Sequence, residues 1–294
     1  MLRLALVATL VVGCGGGTDP VSGELVELIG REWTVAPGQE LYKCIGIRVD
    51  RDMYIHQFET ANPLGEHHAV LTVTDQLGGL GGTQLGEYDC SVLTVDLQML
   101  YASGVGTDTL ALPEGIALPV RAGQYLHLNL HLFNTTDTEI STRSAILAKL
   151  VSPVPAERQA EMVFTGTFDI NVPAGETRTT GGGCTFSRDA TLFAYWPHMH
   201  QYATHQKVTM MIGGQARTIH DEAYAFGEQH NLPFTPTVAV HAGDSIRVDC
   251  TYTNSSATTL RWGDSSTEEM CFSGLYRYPK QAVSLFDCTE GGRP

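Results

Sequence analysis

Short runs of alternating apolar and polar residues fill the chain from about Leu41 onward, and no stretch keeps the 3.6-residue period of an amphipathic helix. Leu41 to Val49, His68 to Thr74, Tyr125 to Phe133, Thr191 to Tyr195, Val208 to Ile212, Ser245 to Tyr252 and Cys271 to Tyr278 each read as a strand, with Gly, Pro, Asn and Asp between them. This pattern predicts an all-β chain built as antiparallel β-sandwiches. Ser152 to Glu161, with Pro153 and Pro155 followed by charges, is the best linker, so two domains are expected, 31–154 and 155–294. The glycine run from Gly78 to Gly82 lacks the Lys-Ser/Thr of a phosphate loop and reads as a surface loop.

The run Tyr125 to Phe133 alternates without a break. Leu126, Leu128, Leu130 and Leu132 must face the core, which places His127, Asn129 and His131 on the opposite face. From this strand alone that second face is expected to be solvated. His127 and His131, four residues apart on a strand, are separated by about 13 Å and cannot hold one ion together.

Composition narrows the class. Of 294 residues, 43% are apolar, which excludes wholesale disorder. The net charge is −14 and no Lys/Arg-rich run occurs, which excludes an electrostatic nucleic-acid reader.

At the N-terminus, Arg3 precedes the apolar run Leu4 to Val12, too short to span a bilayer as a mature helix. Residues 1–13 read as a secretory signal peptide. Val11-Val12-Gly13-Cys14 resembles the lipobox of bacterial lipoproteins, which implies a lipid on Cys14, a flexible tether over 14–30 and anchorage in the cell envelope, at the outer membrane. No other stretch is long and apolar enough to cross a membrane. With Cys14 set aside, Cys44, Cys90, Cys184, Cys250, Cys271 and Cys288 remain, an even set that in an exported protein favours disulfides. The absence of C-x-x-C argues against zinc ribbons and thioredoxin-type motifs.

Candidate chemistry lies in the histidines. In His198-Met199-His200, residues i and i+2 of a strand point the same way and can ligate one ion, while Pro197 suits an edge or bulge beside a cleft. His67 and His68 are neighbours and face opposite ways on a regular strand. They reach one ion only if the backbone is irregular or different ring nitrogens are used. In Glu269-Met270-Cys271-Phe272 the thioether is a soft ligand that favours Cu(I), so His198, His200 and Met270 together would make a copper site tolerant of the reduced state. Taken alone, Met270 is equally a core gap-filler.

The order of an HH pair, a strand-borne His, HxH and EMC resembles the copper type II ascorbate-dependent monooxygenases, the family of peptidylglycine α-hydroxylating monooxygenase and dopamine β-monooxygenase. The resemblance is densest in Val240-His241-Ala242-Gly243-Asp244, Cys250-Thr251-Tyr252-Thr253-Asn254 and Glu268-Glu269-Met270-Cys271, where it is nearer the dopamine enzyme. It implies two jelly-roll-like β-sandwich domains facing across a cleft, each with one copper. By that resemblance His67, His68 and His131, the last in His131-Leu132-Phe133-Asn134, would hold the electron-supplying copper. His198, His200 and Met270 would hold the copper that meets O2 and hydroxylates. The implied disulfides are Cys44–Cys90, Cys184–Cys288 and Cys250–Cys271.

Departures bear on the substrate. Trp196 stands where peptide-amidating members place an arginine two residues before HxH, and Phe272 and Gly274 stand for their Asn and Tyr, so peptide amidation is not expected. A small apolar or aromatic molecule suits Trp196, Phe272 and Tyr195, unless these are core. The expected activity is hydroxylation of a C–H bond of a small organic substrate with O2 and a one-electron reductant such as ascorbate. The rival readings are a non-catalytic copper-binding lipoprotein and a zinc-binding β-sandwich. His56, His127, His205, His220, His230 and His241 are expected to be surface or structural.

Overall fold

A computed structural model describes residues 24–61, 63–78, 82–91, 98–104, 109–263, 265–282 and 284–290. The expected signal peptide and lipidated Cys14, and residues 79–81 of the glycine run, lie outside these described residues. The N-terminal half contains β1 (Leu25–Val35), β2 (Glu40–Arg48), β3 (Met53–Ala61), β4 (Glu66–Thr74), β5 (Gly86–Asp89), β6 (Met99–Gly104), β7 (Leu110–Ala111), β8 (Leu118–Val120), β9 (Tyr125–Phe133) and β10 (Ile140–Leu150). After a 3-10 turn at Ala156–Arg158 come β11 (Glu161–Thr167), β12 (Asn171–Val172), β13 (Thr177–Thr185), β14 (Ala190–His198), β15 (Ala203–Ile212), β16 (Gln215–Ala223), β17 (Leu232–Val240), β18 (Ser245–Thr253), β19 (Leu260–Arg261), β20 (Cys271–Tyr278) and β21 (Cys288–Glu290). Among the described residues no helix is long and apolar enough to cross a membrane.

The first ten strands form two sheets, β1-β10-β3-β7 with β8 on β3, and β5-β2-β9-β4-β6. Their successors form β17-β14-β20-β11-β21 and β13-β18-β15-β16, with β12-β19 as a small ribbon. Among the described residues no strand of one half enters a sheet of the other. Strand β1 begins inside the stretch expected to be a tether over 14–30: Ile29, Trp33 and Val35 are buried, so the packed fold starts earlier than its composition suggests. The inward-facing Arg31 disguises that strand, because its charge breaks the apolar alternation. It is satisfied by the carbonyls of Cys44 and Tyr88 and by Glu87.

In β9 the four leucines are fully buried, as their alternation requires. Burying each is worth ~2 kcal/mol and a one-residue slip would expose all of them, so the register of β9 is strongly fixed. The other face is not the solvated surface that the strand pattern predicts: His127, Asn129 and His131 are also buried. The reason is a covering segment. Strand β5 lies beside β2 at the sheet edge and the Cys44–Cys90 disulfide ties down the residues that follow it: Asn129 Nδ2 donates to the Ser91 carbonyl at 3.0 Å, and the Tyr88 ring reaches to 6.0 Å from that of His127. The other two disulfides are Cys184–Cys288 and Cys250–Cys271.

The halves share a corner motif. Asn134 Nδ2 donates to the carbonyls of Val35 and Thr138 while its Oδ1 accepts from Thr136. Asn254 does the same with Val172, Thr258 and Ser256.

One apolar cluster runs through both halves, joining Leu100 and Ala102 of β6 to Met162 and Phe164 of β11 and to Tyr276 of β20. The halves therefore touch directly along β6 and β11. Beside this contact the backbones come close enough that a Cβ on Gly104 would lie 3.0 Å from that of Gln229.

Candidate metal centres

The first cluster sits at the start of β4. His68 lies opposite His131 of β9, and the register slips between Glu66 and His68, leaving His67 on a bulge. That irregularity lets two adjacent histidines turn to one point. His68 Nδ1 is 3.3 Å from His67 Nδ1 and 3.3 Å from His131 Nδ1, and one ring nitrogen from each of the three lies within 4.8 Å of the others. His127 takes no part. Its Nδ1 lies 3.4 Å from the Thr72 hydroxyl, and its Nε2 is buried without a partner.

Glu40, at the start of β2, takes the outer nitrogen of His131, with Oε1 2.5 Å from Nε2. Tyr42 stacks on the same ring at 4.5 Å and 6°. The Nε2–H is thereby committed to the carboxylate and the Nδ1 lone pair to the cluster.

In the second cluster β14 ends at His198, so His200 lies just past the strand rather than on it, as the i, i+2 argument supposed. The rings still meet, with centroids 5.3 Å apart. His198 Nδ1 donates to Gln229 Oε1 at 2.8 Å, which leaves its Nε2 lone pair for a ligand, and His200 is held by the backbone of Glu268, 3.2 Å from its Nδ1, and of Ser265. Pro197 falls where β17 has already ended, at the Tyr195–Leu232 pair, and its lost donor leaves no gap in that ladder.

The buried carboxylate of Glu269 accepts the backbone N–H of His200 at 3.0 Å and that of Tyr202 at 2.7 Å. This ties the HxH turn to the residue before Met270. Met270 itself is half-buried, precedes β20, and receives the Tyr252 hydroxyl on its carbonyl at 2.7 Å.

Burial lowers the basicity of every histidine in both clusters. His67 and His198 are pushed down to about 4 and His200 to about 3, while His68 falls well below the usual value. Burial also lowers His131, with Glu40 opposing it. At neutral pH all five are uncharged, the form that binds metal. The clusters are close neighbours: His68 is further discouraged from protonating by His198 and His200, and the Phe226 ring lies 4.6 Å from that of His67 and 6.1 Å from that of His200.

The donor set fits a first-row metal ion. Metal–nitrogen bonds of about 2.0–2.1 Å at tetrahedral angles separate the ligand nitrogens by about 3.3 Å, the spacing His68 keeps to both partners. Three Nδ1 atoms turned on one another cannot all be satisfied by neutral imidazole protons, whereas one cation takes a lone pair from each.

Residues 159–294 match the family model described as copper type II ascorbate-dependent monooxygenase, C-terminal domain. This half of the chain is thus similar to the copper type II ascorbate-dependent monooxygenase family. "DBH-like monooxygenase protein 1" of Gallus gallus is 22% identical over 213 residues, covering 65% of this chain but only 34% of that relative's length. Among solved structures, a T=1 particle derived from infectious bursal virus aligns over 86% of this chain and 70% of its own at 10% identity, with a TM-score of 0.21. Vicilin from Solanum lycopersicum aligns over 85% and 74% at 7% identity, with a TM-score of 0.17. Alignments this loose carry no argument.

Around the second cluster, the residues expected to suit an apolar substrate are core or face away from it. Trp196 and Phe272 are buried, with Trp196 stacked on His198 at 4.6 Å and Phe272 on Phe164 at 5.2 Å. Tyr195 faces away, stacking on Phe234 and bonded to His220. Glu40, Gln229 and Phe226 carry no motif-level signal. Only Glu269, inside EMC, was marked by its neighbours.

Proposed function

We propose that this protein is a copper-dependent monooxygenase that hydroxylates a C–H bond of a small organic substrate, using O2 and a one-electron reductant such as ascorbate. His67, His68 and His131 would hold one copper. His198, His200 and Met270 would hold the other. Copper, when bound, supplies the one-electron steps and the dioxygen chemistry that such a hydroxylation requires. The residues themselves orient and exclude. Glu40 and Gln229 fix the imidazole tautomers, and Glu269 fixes the turn between His198 and Tyr202. Trp196, Phe164 and Phe272 keep one flank of His198 dry. A protein with three disulfides suits an oxidising compartment, which accords with export and with a lipid anchor on Cys14.

The 3.3 Å convergence of three neutral imidazoles carries this reading. It is tested by loading the purified protein with copper, counting bound ions, and following ascorbate-dependent oxygen uptake across a panel of small aromatic and aliphatic substrates. Two coppers with substrate-dependent uptake are expected. Copper without uptake on any substrate would leave a copper-binding protein, and zinc bound in preference to copper would remove the redox reading.

A further inference from the structure

The connection from β16 to β17, residues 224–231, is tied to both halves of the molecule. The Tyr224 hydroxyl donates to the Met199 carbonyl at 2.7 Å and accepts the Met199 N–H at 3.0 Å. Gln229 accepts from His198 and donates through Nε2 to the Phe226 carbonyl at 3.0 Å. Asn231 Nδ2 crosses to the other half, reaching the Ala102 carbonyl of β6 at 3.1 Å. These anchors hold Phe226 at the crown of the loop, tilted 33° over His67 and edge-on, at 81°, to His200.

A phenyl ring forms no hydrogen bond with either cluster. Being half-buried, it also forgoes part of the stabilisation that full burial would bring. Its position is explained by what it covers: one side chain from the C-terminal half touches the N-terminal His67 and stands against His200.

We propose that Phe226 is a specificity-determining residue: its ring roofs the space between the two histidine clusters, and the bulk at this position sets which molecules reach His67 and His200 from solvent. A larger organic molecule has to displace the ring, whereas a small ligand passes it. The functional meaning of this roof rests on the reading of both clusters as one working site, but its existence can be tested without metal.

The test uses the metal-free full chain at pH 7, where the cluster imidazoles are neutral and nucleophilic, with diethyl pyrocarbonate as the probe and site-resolved mass spectrometry as the readout. Phe226→Ala should raise the modification rates of His67 and His200 about tenfold by removing the cost of opening. Exposed His241 should react at its wild-type rate, and Phe226→Tyr, which keeps the ring, should behave as wild type throughout. Unchanged rates at His67 and His200 in Phe226→Ala would overturn the proposal. So would an equal rise at buried His127, which would mark general loosening. A second arm follows azide binding to the copper-loaded protein, where Phe226→Ala should speed entry several-fold. If neither protein takes up copper, the copper reading fails while the labelling result stands.

Discussion

Glu40 and His131 meet across β2 and β9, Oε1 to Nε2 at 2.5 Å, and this pairing turns the other nitrogen of His131 toward His68. A carboxylate in that position raises the ligand's basicity and locks its tautomer. Glu40→Gln should weaken copper binding by the first cluster about 10–100-fold while leaving the His198/His200 cluster unaltered. Titration calorimetry with copper, resolved into two classes of site, reads both values.

Burial pushes His127 down to about 4, so the unfolded chain takes up its proton first as pH falls. Stability from this residue is complete above the ordinary histidine value of 6.5 and is lost as pH falls toward 4. The cluster histidines act with the same sign. Metal-free protein should therefore lose stability steeply over that window, and His127→Leu should remove up to ~3 kcal/mol of the total loss. Urea unfolding at a series of pH values measures it.

The Cys44–Cys90 bridge holds the cover over His127 and Asn129. Replacing both cysteines with serine should cost ~2–4 kcal/mol and make His127 reactive to diethyl pyrocarbonate. A melting curve together with labelling distinguishes loss of the cover from global unfolding.

How far the fold could be read from sequence depended on which side chains faced inward. Tyr125 to Phe133 coincides with β9 because its apolar alternation is uninterrupted, and Cys271 to Tyr278 coincides with β20 as a short aromatic-rich run buried on both faces. Strand β1 was obscured by Arg31, whose charge is neutralised only by groups distant in sequence. The buried outer face of β9 was equally illegible, since a disulfide and a separate segment create it. At the site, the histidines announced themselves by spacing. The bulge at His67, however, is a property of the β4–β9 pairing, and Glu40, Gln229 and Phe226 reach the clusters only through tertiary contacts.

Met270 separates redox copper chemistry from generic metal binding. Met270→Ile should abolish hydroxylation while His198 and His200 still retain Cu(II), at a stability cost under ~1.5 kcal/mol, since the swap nearly conserves volume. Oxygen uptake, copper content and melting temperature on that one variant provide the check.

Gly104 is held to a hydrogen side chain by Gln229, which carries His198. Gly104→Val should push Gln229 aside and weaken copper binding at His198/His200 several-fold, and because Gly104 pairs directly with His68 the first cluster should weaken as well. Two-site calorimetry again decides it.

Strand β21 joins its sheet in parallel with β11, and Cys288 is bridged to Cys184, 104 residues earlier. The sheet that carries His198 therefore cannot be closed until residues 288–290 have been made and delivered. The N-terminal half draws all its sheet partners from residues before 151 and can finish earlier. Since the two histidine clusters adjoin only when both halves are folded, assembly order itself postpones the formation of a joint site until residues 288–290 have emerged.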